Sequence, residues 1–563
     1  MIRRVPITPG DLTDHEIGTK DILTGTTDTP LLYGDAGGSL LDHSIGGDDT
    51  LTAQLVFNAP PPTPLTFNMF GDAVGNISDH AKGGNDTLSA QVTYPAFSQP
   101  AVTVNMYGDA GGSISDHANA GDDTLNVQVT GLPPGGLLFG PIVNVFADAG
   151  GNLLDHAKGG NDGITLSLGE GHFTDTVYGD AGGNLSGFAQ GGNDTLTASN
   201  GPERTLRFYG DAGGNMSDYA HGGNDSFTKN GSSETNNYFY GDAGGDMSGH
   251  AAGGNDIYTM HGFETDNFVY GDAGGNMSDF AKGGDDTYDQ LSGTFFPNIF
   301  YGDAGGNMSG HAEGGNDTFN KTGGEGSTFY GDAGANMSDY AQGGNDTFQA
   351  SSSGPGNKNL FSGDAGGNMG DHAVGGNDTY IGGTALQSGG IASGLSKAYG
   401  DALTMSGDAQ GGNDSLIGGN DPSPPPAGTY ETILVGDAQA MSDNARGGND
   451  KLISGTGNDD MWGDAQVMLG LAKGGNDTFL FSVDNGHDKV EDLGQGLSNL
   501  GTDHIDVSAL GIENFSELTI SAFDPTTHES TITFSAGNEV VVHSEEALRP
   551  QDFMFTTHGL LLV

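Results

Sequence analysis

The sequence predicts an all-β repeat protein, a solenoid of about fourteen coils, and three observations predict it. The tripeptide Gly-Asp-Ala recurs along the chain, a second box Gly-(Asn/Asp)-Asp follows each copy, and apolar residues hold fixed places around both boxes. Three apolar positions per repeat cannot enclose a core within one repeat. Stacked, they become continuous ladders, which is the physical logic of a solenoid.

The first box places its Asp at Asp35, Asp72, Asp109, Asp148, Asp180, Asp211, Asp242, Asp272, Asp303, Asp332, Asp364, Asp401, Asp437 and Asp464. Ala147 alone replaces the leading glycine. The second box ends at Asp49, Asp86, Asp123, Asp162, Asp194, Asp225, Asp256, Asp286, Asp317, Asp346, Asp378, Asp414, Asp450 and Asp477. The two Asp are 14 residues apart in the first eleven copies and 13 in the last three, whereas successive copies start 27 to 39 residues apart. A constraint therefore acts between the boxes, and the connector behaves as surface structure.

Residues 1–30 precede the array and read as an N-terminal arm. Met1–Lys20 has Arg3 and Arg4 but no apolar stretch of the kind a secretory signal requires. In the array, residues 31–478, an aromatic stands two places before the first Asp in twelve copies, from Tyr33 to Trp462, with Ser362 and Val435 as exceptions. Leu, Ile or Met follows the first Asp by five places, or four in the short copies, and an apolar residue stands two places after the second Asp. All three columns read as packing. Connectors such as Leu51–Phe57 and Leu65–Phe70 alternate apolar and polar residues around turns at Pro60–Pro64 and Asn200–Glu203, a strand–turn–strand signature. From Phe479 glycine thins and longer apolar runs appear at 504–512, 517–523, 530–537 and 539–544. Residues 479–563 read as a β cap.

Composition narrows the partners. The chain has 563 residues, a net charge of −57, 102 glycines and no cysteine. Disulfides and thiolate metal sites are thereby excluded. Such a charge is repelled by phosphate backbones and anionic lipid, so no nucleic-acid partner is expected. No run reaches the ~20 apolar residues of a membrane-spanning helix, so no membrane insertion is expected either. Multivalent cations are the natural partners. Glycine turns bring backbone carbonyls close together, and a carboxylate at a fixed place in each turn faces carbonyls of its neighbours. Calcium accepts six to eight such oxygens in a flexible cage, while magnesium demands a stricter octahedron and zinc prefers nitrogen or sulfur. Multiple calcium ions are the expected cofactor. The alternative for every Asp is turn formation through side-chain-to-backbone hydrogen bonds. A third Asp, seven places after the first (Asp42, Asp79, Asp116, Asp155, Asp218, Asp279, Asp339, Asp371, Asp408), is glycine in three copies and is the weaker ligand candidate.

Ala445–Ile453 (ARGGNDKLI) and Ser454–Trp462 (SGTGNDDMW) are consecutive nine-residue units with Gly, Asx, Asp and an apolar residue in matching places. They resemble the nonapeptides of the RTX (hemolysin-type calcium-binding) family. That resemblance implies a calcium-stabilised parallel β-roll with Asp450 and Asp459 as ligands, and by the same context the other second-box Asp. It leaves the first-box Asp as ligands or as turn formers, and leaves open a β-roll against a stack of antiparallel hairpins. The block 484–512 and the end of the chain, Asp552–Phe555 with Leu560–Val563, are similar to the segment and C-terminal signal of RTX proteins exported by type I secretion. The implied role is a secreted structural protein of the cell surface or extracellular matrix, assembling into homo-oligomers, filaments or layers, with cell-surface polysaccharide as a possible partner. The alternatives are an extracellular calcium-buffering or signalling protein and a polysaccharide-acting β-helix enzyme. No zinc-protease helix, nucleophile elbow or phosphate loop occurs, and no enzyme is expected. Seven His follow the third-Asp place, from His43 to His372, and read as structural.

Overall fold

The computed structural model describes residues 3–5, 7–57, 61, 63–93, 102–131, 140–169, 173–201, 204–231, 236–261, 267–291, 298–324, 326–353, 358–385, 393–420, 429–535 and 537–556. The turns expected at Pro60–Pro64 and Asn200–Glu203 lie partly outside them, and the end of the expected export signal, residues 557–563, lies outside altogether. Among the described residues there is no α-helix, and the repeats pair in parallel, so the hairpin stack is excluded. Two compact units result: Met1–Asp289 with Asp303–Gly305, and Gln290–Gly302 with Gly306–Val563.

In the first unit one repeat makes one coil. Each coil runs from a strand into the first box, along a side held by single bridges, through the second box and into a second strand. Successive second strands stack in register, as Thr50 on Thr87 on Thr124 and Leu51 on Leu88 on Leu125. The strands entering the first box form an opposite parallel sheet, with Leu65 on Val102 and Phe70 on Tyr107. Between the boxes Ala36, Ala73 and Ala110 bridge one another, as do Leu40, Ile77 and Ile114. Equivalent box residues therefore lie one above another, and variable connectors leave the coil unchanged.

The arm is a further coil. Ile22–Thr26 pairs with Thr50–Gln54, and Thr8, Leu12 and Ile17 bridge Ala36, Leu40 and Ile45. It lacks both boxes, so repeat counting passes over it.

Two apolar columns form the core as expected: Leu40, Ile77, Met216 and Met247 are fully buried, and so are Leu51, Leu88 and Leu196. The aromatic column lies elsewhere. Phe70, Tyr107, Phe146, Tyr178, Tyr209 and Tyr240 stack at 4.6–5.0 Å on the outer face of their sheet. Strand parity sends Phe67 and Met69 inward and the next residue out. Each ring covers a glycine of the next coil, Phe70 over Gly111 and Tyr107 over Gly150, where a Cβ would collide.

The third Asp is explained by the backbone. Asp42, Asp79, Asp116, Asp155, Asp218 and Asp279 have φ of 60–64°, and Gly187 and Gly249 take the same left-handed turn. Asx and glycine are the residues that tolerate it. In the second unit the turn falls on Gly310, Asp339, Asp371, Gly407, Asp443 and Gly470, so Asp408 sits one residue past it.

In the second unit the 13-residue copies straighten the bridging side into a parallel sheet of Ala365–Met369, Ala402–Met405, Ala438–Met441 and Ala465–Met468. The register shift between Ala365 and Asn368 absorbs the residue that later copies lack. Lys451–Ile453 and Asn458–Trp462 belong to opposite sheets, so the two nonapeptides form two sides of one coil. At the end, Asn538–Ser544 pairs in parallel with His487–Leu493 and antiparallel with Glu529–Ser535, a hairpin that caps the sheet.

Glycine at the second box is a steric requirement. A Cβ on Gly223 would collide with the Gly192 carbonyl, whereas one on Gly163 meets only the Asp123 carbonyl at 3.9 Å. Gly223→Ala should lower the thermal midpoint by several degrees and Gly163→Ala should leave it within about one degree, on the scale of a 1–2 kcal/mol backbone effect. Calorimetry in calcium reads both, and equal midpoints would contradict the packing described.

Candidate metal-binding columns

The second-box Asp form a buried ladder. In the first unit the backbone N–H of Asp49 donates to Oδ1 of Asp86, Asp86 to Asp123, Asp123 to Asp162, Asp162 to Asp194, Asp194 to Asp225, Asp225 to Asp256 and Asp256 to Asp286, at 2.5–2.7 Å. The N–H of Asp21 continues it onto Asp49 at 2.6 Å. Oδ1 is thus used by the backbone of the coil before. Oδ2 of Asp49, Asp86, Asp123, Asp162, Asp194, Asp225 and Asp256 is buried without a hydrogen-bond partner. It is turned onto the first-box glycine of its own coil, beside a carbonyl of the next: Asp49 with Gly71 O at Gly34, Asp86 with Gly108 O at Gly71, Asp225 with Gly241 O at Gly210. Only a residue without Cβ leaves these two oxygens room to approach.

The first-box Asp form a second buried column. Each accepts the N–H of the second-box glycine in its own coil: Gly84 to Asp72, Gly121 to Asp109 and Gly160 to Asp148 at 2.8–2.9 Å, Gly47 to Asp35 at 2.5 Å and Gly284 to Asp272 at 2.9 Å. Asp180, Asp211 and Asp242 share that N–H between both oxygens at 2.9–3.1 Å. Oδ1 of Asp35, Asp72, Asp109 and Asp148 is buried and accepts no N–H. Neighbouring carboxyls of this column, such as Asp72 and Asp109, also meet each other. Turn formation therefore accounts for one oxygen of each of these four carboxyls.

The second unit repeats the pattern. Asp317 donates to Asp346, Asp346 to Asp378, Asp378 to Asp414, Asp414 to Asp450 and Asp450 to Asp477, at 2.6–2.7 Å. Asp332, Asp364, Asp401, Asp437 and Asp464 accept glycine N–H groups at 2.6–2.8 Å, and Asp303, which belongs to the first unit, is likewise buried. Asp459 is apart from both columns. It lies on the inner face of its strand, accepts the Gly455 N–H at 2.8 Å and donates its own N–H to Asp488 at 3.0 Å. Sequence reading missed Asp503, which accepts the Asp477 N–H at 2.8 Å as the next rung, and Asp492, which takes those of Gly463 and Asp464. Neither stands in a recognisable box; the Gly-Thr-Asp at 501–503 was the one available signal.

Burial dominates the electrostatics. It pushes Asp109, Asp242 and Asp401 up to about 6, Asp459 and Asp492 to about 7, Asp49 and Asp503 to about 8 and Asp464 to about 9. Asp86, Asp123, Asp225 and Asp414 are also raised well above the usual carboxylate range, by burial first and then by neighbouring carboxylates. His15, His43, His80, His117 and His156 stack ring on ring at 4.7–5.0 Å on the exposed side of the left-handed turn.

Among the described residues no three acidic or His side chains gather around one point. A cation held here would take carboxylate oxygens together with glycine carbonyls. The donor set is all oxygen, with unpartnered buried carboxylate atoms beside carbonyls, which fits calcium and does not fit zinc. No family model, curated protein or solved structure matches the chain.

Proposed function

We propose that the chain is a secreted, calcium-binding structural protein of RTX type, which folds and assembles at the cell surface or in the matrix when it takes up calcium. One observation carries this reading: at coil after coil an unpartnered, buried second-box oxygen lies beside a glycine carbonyl. A protein that used Asp only to form turns would expose the second oxygen to water, because burying an unsatisfied carboxylate oxygen is costly. Asp49, Asp86, Asp123, Asp162, Asp194, Asp225 and Asp256 would supply the carboxylate ligands, with the first-box Asp and the glycine carbonyls completing the cage. The ion would supply the positive charge that lets these carboxylates stay ionised where they are. Export by a type I route is supported by the resemblance of the C-terminal segment to such signals.

Isothermal calorimetry tests it. The chain should bind many calcium ions, and the double variant Asp225→Asn with Asp256→Asn should bind fewer while magnesium competes poorly. Absence of calcium binding at millimolar concentration, with the chain folded, would refute the proposal.

A further inference from the structure

In the first unit eight successive strands, Ile22–Thr26 of the N-terminal coil and the seven that follow second boxes from Thr50–Val56 to Ile257–His261, form one parallel sheet, and Asp289 stands on the strand after them, Thr287–Gln290. Among the eight the only Lys, Arg, Asp or Glu is Lys229, which is fully buried and points inward. Outward positions carry mainly Thr, Ser, Asn and Gln, among them Thr87, Gln91, Thr124 and Gln128, with His261 exposed at the end of the last strand. Ile22, Val56 and Ile257 stand among them, 78, 55 and 48% exposed. On a chain of net charge −57 this face is uncharged, and exposed carboxylates such as Asp48 and Asp122 lie on the turns that border it.

We infer that this face is where a second copy of the chain packs, sheet on sheet. The inference rests on the assembly proposed above and names its surface. Two chains so acidic repel wherever carboxylates meet within a Debye length of ~8 Å, and this face meets its twin without opposing any charge. Interface cores are depleted of charged residues in the same way. Size agrees as well. Strands of five to seven residues about 4.8 Å apart make a face of roughly 34 by 20 Å. That is close to the ~800 Å² per partner of a standard interface. Flat sheets pack about 10 Å apart, and the Thr methyls with Ile22, Val56 and Ile257 supply apolar contact. Association would then be lateral and need no contact at the ends of the coil stack.

Sedimentation velocity of the full chain in calcium tests this, using Gln91→Glu with Gln128→Glu on the face. Asn119→Glu with Gln190→Glu, on the bridging side of the coil, adds the same charge elsewhere. The face pair should raise the concentration needed for association at least about tenfold, equivalent to about 1.4 kcal/mol, and the control pair should not. Because the chain has no cysteine, Gln128→Cys also carries a single spin label, which should show dipolar broadening on association while one at Gln190→Cys does not. Association unchanged by the face pair, with no broadening at Gln128→Cys, would overturn the face and leave assembly standing. A chain that remains monomeric at millimolar calcium would overturn both.

Discussion

Removal of calcium at neutral pH is expected to unfold the repeat arrays. Both columns hold carboxyls that are buried in the folded chain. To stay folded without metal they must either ionise in a desolvated place or take up protons against the solvent. For Asp109, raised from 3.8 to about 6, that cost is about 3 kcal/mol at pH 7. Asp242 and Asp401 carry the same shift, and Asp86, Asp123, Asp225 and Asp414 larger ones. Even a few such groups together exceed the ~5–15 kcal/mol by which domains are stable. Calcium reverses the balance, because ions that bind only the folded state add their binding free energy to it. Circular dichroism should show the β-sheet signal lost in chelator and regained on titrating calcium. Trp462, the one tryptophan, should report the same midpoint by fluorescence. Asp450→Asn should raise that midpoint several-fold at the C-terminal end, because its carboxylate is held from Asp414 and its N–H is tied to Asp477. An unchanged β-sheet spectrum in excess chelator at about pH 7.5 would refute this coupling.

The coil could be read in the sequence because its constraint is periodic. A fixed spacing between boxes with a variable connector has one physical meaning, a closed coil whose loops lie outside it, and Thr50, Thr87 and Thr124 stack as that spacing requires. The core columns of Leu40 and Leu51 were equally legible. What escaped was what lacks the motif. The N-terminal coil carries Thr8 and Leu12 where the repeats carry Ala36 and Leu40, so its membership shows only in the pairing. Asp503 extends the ladder from a segment without its box. The aromatic column was visible as apolar, but its side of the sheet follows from strand parity: Met69 and Phe70 are adjacent, so one must face out. Asp459 shares the Gly-Asx-Asp context of Asp450 yet lies on the inner face of the opposite sheet. Local sequence gives a residue its turn, and the coil decides which turns coincide.

Acid is expected to substitute for calcium. Folding raises the pKa of these carboxyls, so the folded chain binds more protons than the unfolded one, and metal-free stability falls as pH rises. The contribution is complete below the ordinary carboxylate value near 3.8. It is lost as pH climbs through about 6 for Asp109, Asp242 and Asp401, about 7 for Asp459 and Asp492, about 8 for Asp49 and Asp503 and about 9 for Asp464. In chelator, then, the β-sheet signal should be present at about pH 5 and absent at about pH 8. Calcium gives the opposite slope, because protons compete with the ion for the same oxygens, so its affinity should rise over that interval. The chain's pI is about 4.1, so the acid arm is best read in dilute solution just above it, where residual negative charge keeps the chains apart. Most globular proteins lose stability in acid because their carboxylates are paired when folded. Here neutral carboxyls can hydrogen-bond to one another, as Asp72 and Asp109 are placed to do. A chelated chain that unfolds on acidification and regains β-structure at about pH 8 would contradict the electrostatics of both columns at once.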